Sequence, residues 1–255
     1  MADRELILRP GERLDDLQNG GLALIQRPDA FCFGTDSVLL ADFAAPKKRD
    51  RAIDLGCGTG AIATLMAAHC PNLCVDAVEL QPEAADMAAR SARYNGLDDR
   101  LHVYCMDARE AWRHMGREAY TLVVCNPPYG KAGGGPRRAG SAQQTARCED
   151  ELDCHELCRT AFALLRAGGR LCVVFPAVRA FEMMQAMQAH RLAPKRIRTV
   201  QGVEGRAPRL VLLEAVKDGG SGLAWMPPLI LQRADGTHTP EWERIYLRDP
   251  HSNAR

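Results

Sequence analysis

The chain has 255 residues, 46% of them hydrophobic, and 33 Lys and Arg against 32 Asp and Glu leave a net charge of +1. That length and apolar content suffice for one sizeable core with small additions. A charge near zero excludes a global field for polyanions and leaves any nucleic-acid contact to local patches.

No window approaches the roughly 20 apolar residues of a membrane span. Met1 to Arg9 mixes charges where a signal peptide would be apolar. The cysteines sit mostly alone in apolar runs (Cys74, Cys105, Cys125, Cys172), as reduced thiols of a cytoplasmic protein do. Cys148, Cys154, His155 and Cys158 lack paired CxxC knuckles, and Cys154 and Cys158 fit one helix face, so no metal is expected.

Residues 1–45 predict a small β element followed by a helix. Leu6-Ile7-Leu8 and Leu22-Ala23-Leu24-Ile25 are short apolar strands around the turn signal Asn19-Gly20-Gly21. Thr35 or Asp36 suits a helix N-cap, with Val38, Leu39, Asp42 and Phe43 following at helical spacing. This start is either a plain capped surface helix or a set of backbone N–H groups aimed at a carboxylate. The stretch alone leaves both open.

Residues 46–217 read as the main α/β unit. The strand Ala52-Ile53-Asp54-Leu55 runs into Gly56-Cys57-Gly58-Thr59-Gly60 and then a helix from Ala61. The spacing is GxGxG rather than the dinucleotide GxGxxG, and Asp54 ahead of it would repel a pyrophosphate. An acid there suits a cationic amine, so S-adenosylmethionine fits better than NAD. The next strand, Leu73 to Val78, ends on Glu79, placed to accept from two ribose hydroxyls. Pro82 starts a helix that Asn95-Gly96 ends. Leu101 to Cys105 is a third strand, with Asp107 just past it and able to accept from an adenine amine. Each acid alone would pass for a solvated loop residue. Three of them past three successive strands argue otherwise.

Tyr120 to Val124 predicts a buried strand. Pro127-Pro128 cannot continue a ladder, which leaves Asn126, the Pro127 carbonyl and the Tyr129 ring at the strand's C-terminal end. Open α/β sheets bind ligands there. The Asn oxygen and the carbonyl can accept both hydrogens of a planar NH2 while the aromatic face stacks on its ring. A stiff turn is the plain alternative, but the position downstream of the glycine loop favours the clamp. Gly130 to Arg147 carries Lys131, Gly133-Gly134-Gly135, Arg137, Arg138 and Arg147. It predicts a basic lid that grips phosphates rather than an ordinary surface loop.

A helix over 149–165, a strand over 171–175 and a helix over 177–190 follow. Lys195 to Val200 alternates basic and apolar residues as a half-buried strand does. Its arginines either meet a phosphate backbone or guard a solvated edge. Leu210 to Ala215 is the last strand, preceded by Arg206 and Arg209. Gly219-Gly220, Pro227-Pro228 and sparse apolar periodicity predict an extended tail over residues 218–255.

The strand-end series Asp54, Glu79, Asp107, Asn126 resembles the class I S-adenosylmethionine-dependent methyltransferases. Asn126-Pro127-Pro128-Tyr129 resembles their amino-methylating branch, which acts on adenine N6, cytosine N4 or glutamine N5. Four further blocks, at 12–17, 31–40, 146–149 and 194–198, resemble the bacterial tRNA1(Val) adenine-37 N6-methyltransferase family. The similarity runs from about residue 12 to about residue 240. Gly130-Lys131 and the glycine run depart from the aromatic residue and longer motif that some members carry.

The resemblance implies a Rossmann-like α/β fold, with a seven-stranded, mostly parallel sheet, helices on both faces and a small N-terminal β element. It implies S-adenosylmethionine as cofactor, a tRNA substrate and no membrane partner, with a monomer expected. By the same resemblance, Gly56, Gly58 and Gly60 wrap the methionine portion, Asp54 lies near its amine, and Thr35 completes that pocket. Glu79 holds the ribose and Asp107 the adenine, with Leu80, Ala108 and Asn126 completing the cofactor set. Asn126 and Pro127 hold the target amine and Tyr129 stacks on the base. Pro128, Lys131, Arg137, Arg138, Arg147, Arg196 and Arg198 would meet the substrate.

Glutamine-N5 methyltransferases of this type carry a helical domain ahead of the glycine loop, whereas about fifty residues of strands and one helix precede Asp54 here. A DNA adenine methyltransferase would bring a target-recognition domain, and none is evident. The Asn-Pro-Pro-Tyr clamp argues against a non-catalytic binding module, and the loop spacing against an NAD-dependent oxidoreductase.

Overall fold

Uninterrupted apolar runs dictate the centre of the molecule. A strand covered on both faces cannot alternate apolar and polar residues, and a parallel sheet buried under helices is made of such strands. In β6 (Tyr120–Cys125) every residue is buried, and β3 (Arg51–Leu55) and β4 (Cys74–Glu79) expose only their first residues. The computed structural model describes residues 8–29, 32–128 and 153–246.

β3, β4, β5 (Leu101–Cys105), β6 and β7 (Leu165–Pro176) pair in parallel in the order β5-β4-β3-β6-β7. Beyond β7, β9 (Leu210–Lys217) runs antiparallel to both β7 and β8 (Leu192–Val203). The chain therefore leaves β3 towards β5 in its first half and restarts on the other side with β6. The reversal between β3 and β6 is the point at which open α/β sheets present a ligand crevice.

Helices α1 (Thr35–Ala44), α2 (Ala61–His69) and α3 (Pro82–Tyr94) cover one face. α4 (Ala111–Met115), α5 (Cys154–Leu164) and α6 (Ala180–Ala189) cover the other. Alternate residues of one strand serve the two cores: Leu122 and Val124 face the first, Val123 and Cys125 the second.

The N-terminal element differs from the expectation. Its strands are β1 (Arg13–Asp16) and β2 (Ala23–Gln26), antiparallel around the anticipated Asn19-Gly20-Gly21 turn. Leu8 is exposed, and Leu6 and Ile7 lie outside the described residues. β1 is polar and only partly buried, whereas β2, which is wholly buried, packs against helix α3. Arg90 of α3 ion-pairs with Glu12, and Ser91 and Asn95 of α3 bond the backbone of Ile25 and Ala23. The exposed edge of β2 is thus closed by helix side chains that imitate a strand.

The C-terminal part differs more. Residues expected to form an extended tail build β10 (Ala224–Trp225), β11 (Leu229–Gln232) and α7 (Pro240–Tyr246). β10 and β11 both pair in parallel with β8, so the main sheet has nine strands among the described residues instead of seven. Asn19 donates to the carbonyls of Ile245 and Tyr246, and Ile245 and Leu229 join the core that holds Leu17, Leu24 and Leu39. One core therefore spans the anticipated segments 1–45, 46–217 and 218–255.

Candidate active site

The glycine loop is built first by its neighbours. The N–H groups of Gly56 and Cys57 both donate to the Val78 carbonyl at 2.9 Å, which pins the loop to the end of β4. Gly56 and Gly58 have φ of 72° and 55°, and a Cβ at either would meet nothing within 4 Å. Glycine is needed there for backbone conformation, and the space beside it stays open for a ligand. At Gly60, φ is 87° and a Cβ would stand 3.1 Å from that of Ala88, so α2 and α3 pack closely there.

Glu79, buried, accepts from Gly58 N–H at 2.8 Å through one oxygen and from Gln81 N–H at 2.9 Å through the other. It braces the loop, and each oxygen keeps a further lone pair for a hydroxyl donor. The fully buried Gln26 ties β2 to this loop. It donates to Asp15 at 2.7 Å and accepts from Thr59 Oγ1 at 2.8 Å and Phe33 N–H at 3.0 Å.

Asp54 lies at the heart of the switch point with no exposed surface, and neither carboxylate oxygen has a well-formed hydrogen bond, although the Ala63 N–H points towards it. Burial raises its pKa to about 7. The Ala63 N–H in the first turn of α2 opposes this only in part, and the nearby Glu79 charge adds to it. A buried carboxylate so weakly matched is costly unless a cation meets it. Asp107 begins a single helical turn, and its carboxylate is gripped by Arg109 at 2.6 Å, which keeps its pKa below the usual range. Leu80, which follows Glu79, stands 46% exposed, and Ala108 opens the turn.

On the other side of the switch, Asp54 pairs in register with Val124 of β6, so Asn126 stands two residues beyond it at the strand's end. The half-buried Asn126 donates its Nδ2 to Asp36 Oδ2 at 3.1 Å and to Ser37 Oγ at 3.4 Å, both in the first turn of α1. The cap of α1 is Gly34, without a side-chain hydrogen bond. Thr35 and Asp36 are therefore the first helical residues rather than the cap. Pro127 is buried and Pro128 exposed. Tyr129, Lys131, Arg137, Arg138 and Arg147 lie outside the described residues.

Two expected substrate arginines are engaged elsewhere. Arg196 pairs with Glu214 at 2.8 Å, donates to the Phe43 carbonyl and lies 4.6 Å over the Phe43 ring. Glu214 also binds Arg170, which reaches Asp50. Arg198 donates to the Pro227 carbonyl and to Glu241 of α7. Lys195 donates to the carbonyls of Gly220 and Ser221. The reason is topological: β8 is not an edge, and its basic side chains hold β9 and the C-terminal segment.

Most residues expected to hold a cofactor thus stand at the C-terminal ends of β3, β4 and β5, while Asn126 stands at the end of the neighbouring β6 and Thr35 opens α1. Open space over Gly56 and Gly58 and an unmatched buried carboxylate fit a ligand bearing an ammonium. The contribution of Asp36 and Ser37 was not visible in local sequence pattern. Only the contact across 90 residues brings Asp36 to Asn126.

Fold and site define a class I S-adenosylmethionine-dependent methyltransferase. The chain belongs to the methyltransferase small domain family, whose profile matches residues 24–196, and within it to the tRNA1(Val) (adenine(37)-N6)-methyltransferase family. It is 31% identical over 212 residues to such an enzyme of Yersinia enterocolitica, covering 82% of each chain. To one of Porphyromonas gingivalis it is 29% identical over 222 residues, covering 83% of this chain and 86% of the relative. A solved structure of a predicted O-methyltransferase from Agrobacterium tumefaciens matches with a TM-score of 0.69 over 83% of this chain and 95% of that one. At 24% identity that match shows the fold alone. The cofactor is S-adenosylmethionine. Among the described residues, no helix is long and apolar enough to cross a membrane and no cluster of ligating side chains suits a metal.

Proposed function

We propose that this chain methylates N6 of an adenine in tRNA, with position 37 of a valine tRNA as the target carried by its relatives' names. The observation that supports it most is the stand of Asn126 at the end of β6, across the switch point from the unmatched Asp54. An adenine N6 is a weak nucleophile because its lone pair is spread into the ring. The Asn126 oxygen and the Pro127 carbonyl accept its two hydrogens and favour a pyramidal nitrogen. S-Adenosylmethionine, when bound, supplies a methyl group on a positively charged sulfur. With Asn126 and Pro127 holding the amine in line, the bound cofactor would give up its methyl group to nitrogen, keeping the C–S electron pair on sulfur, and the nitrogen's extra proton would pass to solvent.

Asp54 holds the cofactor's ammonium, Gly56 and Gly58 admit its methionine portion, and Glu79 and Asp107 meet its ribose and adenine. The protein thus contributes alignment and electrostatics without a strong base. A target in an anticodon loop is already unpaired, so extruding it costs less than the few kcal/mol of a duplex base. The described cysteines are free thiols, which suits the cytoplasm, where we place the protein.

Incubation with methyl-labelled S-adenosylmethionine and unmodified tRNA, DNA or protein, followed by nucleoside mapping, tests the assignment. N6-methyladenosine in valine tRNA is the expected product. Label confined to DNA adenine or to a protein glutamine would overturn it.

A further inference from the structure

We propose that Asp36 is a positioning residue: it decides which end of the Asn126 amide faces the target amine. The proposal rests on the reading of Asn126 as the amine-holding group and goes beyond it. The two ends of an amide are nearly equal in shape and opposite in hydrogen-bonding character. Only the oxygen end can accept from an NH2. A flipped Asn126 would set donors against donors.

The structure supplies a group that selects the orientation. A carboxylate accepts and cannot donate, and Asp36 Oδ2 receives Asn126 Nδ2 at 3.1 Å. Ser37 Oγ lies 3.4 Å from the same nitrogen, but a hydroxyl both donates and accepts and so does not discriminate. The carboxylate is itself fixed. Its Oδ1 accepts from Ser37 N–H at 2.9 Å, and it folds back over Gly34, where a Cβ would stand 2.8 Å from Oδ1. Gly34 therefore makes room for the carboxylate at the first turn of α1. Hydrogen bonds to a charged group favour one amide orientation by roughly 10- to 100-fold.

The test uses isosteric exchanges in the full-length protein, with single-turnover methyl transfer to unmodified tRNA and calorimetric binding of S-adenosylmethionine. In Asp36→Asn, one oxygen must still serve Ser37 N–H, which turns an NH2 towards Asn126 and drives its amide to flip. The rate of transfer is expected to fall at least tenfold, with KM for tRNA and cofactor affinity within threefold of the parent. Asn126→Asp sets two carboxylates together and is expected to lose at least tenfold. The double exchange Asp36→Asn with Asn126→Asp restores a donor–acceptor match in reverse. Its rate is expected to be at least tenfold higher than the two single losses multiplied together would leave.

A helix-start role alone would make the losses multiply. Asp36→Asn within twofold of the parent, or multiplying losses, would overturn the positioning role. Retained transfer in Asn126→Ala would instead overturn the reading of Asn126 beneath it, and so separates the two failures.

Discussion

Two rows of charged and polar side chains lie on one sheet and have opposite fates. At the β3/β6 switch, Asp54 is buried with no well-formed hydrogen bond, and its pKa is pushed to about 7. On β8, some strands away, Arg196 and Arg198 are fully engaged by Glu214, Glu241 and backbone carbonyls. The sequence around β8 looks the more suggestive of nucleic acid, yet its charges are consumed within the fold. Poorly matched burial, rather than charge itself, marks the binding side.

Each prediction sharpens or breaks that contrast. The largest effect belongs to the paired side. Glu214 is buried between Arg170 and Arg196, and despite opposing burial these cations hold its pKa below the usual carboxylate range. Glu214→Ala leaves two guanidinium groups without their shared acceptor. A loss of about 3–5 kcal/mol in denaturant unfolding is expected, with cofactor affinity retained in the fraction that folds. A loss below ~1 kcal/mol would mean that the pairing is not structural.

Asp54 should behave in the opposite sense. Its folded pKa, about 7, exceeds the ordinary 3.8. The unfolded chain therefore ionises first, and stability without cofactor should fall as pH rises from about 4 to about 7, then level off. The change is on the order of 4 kcal/mol by the usual conversion of pKa shift to free energy. Asp54→Asn should remove this slope and raise the melting temperature at pH 8. A variant with the parent's pH profile would show that the carboxylate is not the group that titrates.

The same group predicts a linked binding effect. A cationic amine binds the ionised carboxylate, so affinity for S-adenosylmethionine should rise with pH up to about 7 and level above it, with proton release below. Calorimetry in two buffers of different ionisation enthalpy reads that proton. Asp54→Asn should bind at least tenfold more weakly at pH 8, which is about 1.4 kcal/mol.

The smallest effect tests the basic strand. Arg198→Ala should lower stability by about 1 kcal/mol by freeing Glu241 and the Pro227 carbonyl. Its tRNA affinity should keep the parent's salt dependence. A salt slope reduced by about one would return Arg198 to the phosphate contacts.

Local chemistry made half of this legible in the sequence. A glycine loop led by an acid, and an Asn cut off from its strand by two prolines, are each complete within a few residues, and both stand at the strand ends where they were expected. What failed depends on pairing between distant strands. Arg196 sits opposite Glu214 in the β8/β9 register, so its partner is a matter of antiparallel alignment, not of the alternating pattern that marks the strand. Leu229 to Leu231 is too short an apolar run to announce a strand. It becomes one because β8 offers an open backbone edge. Asp36 looked like a helix cap because its partner, Asn126, lies 90 residues on.

The central claim is that the Asn126 side of the switch handles the target amine while the Asp54 side handles the cofactor. Asn126→Ala, assayed by single-turnover transfer to tRNA beside calorimetric binding of S-adenosylmethionine, tests that division directly. Transfer is expected to fall by about 10²–10³-fold, as when one preorganised hydrogen-bonding group is removed from an active site, with cofactor affinity within threefold of the parent. Equal loss of transfer and cofactor binding, or transfer left intact, would contradict it.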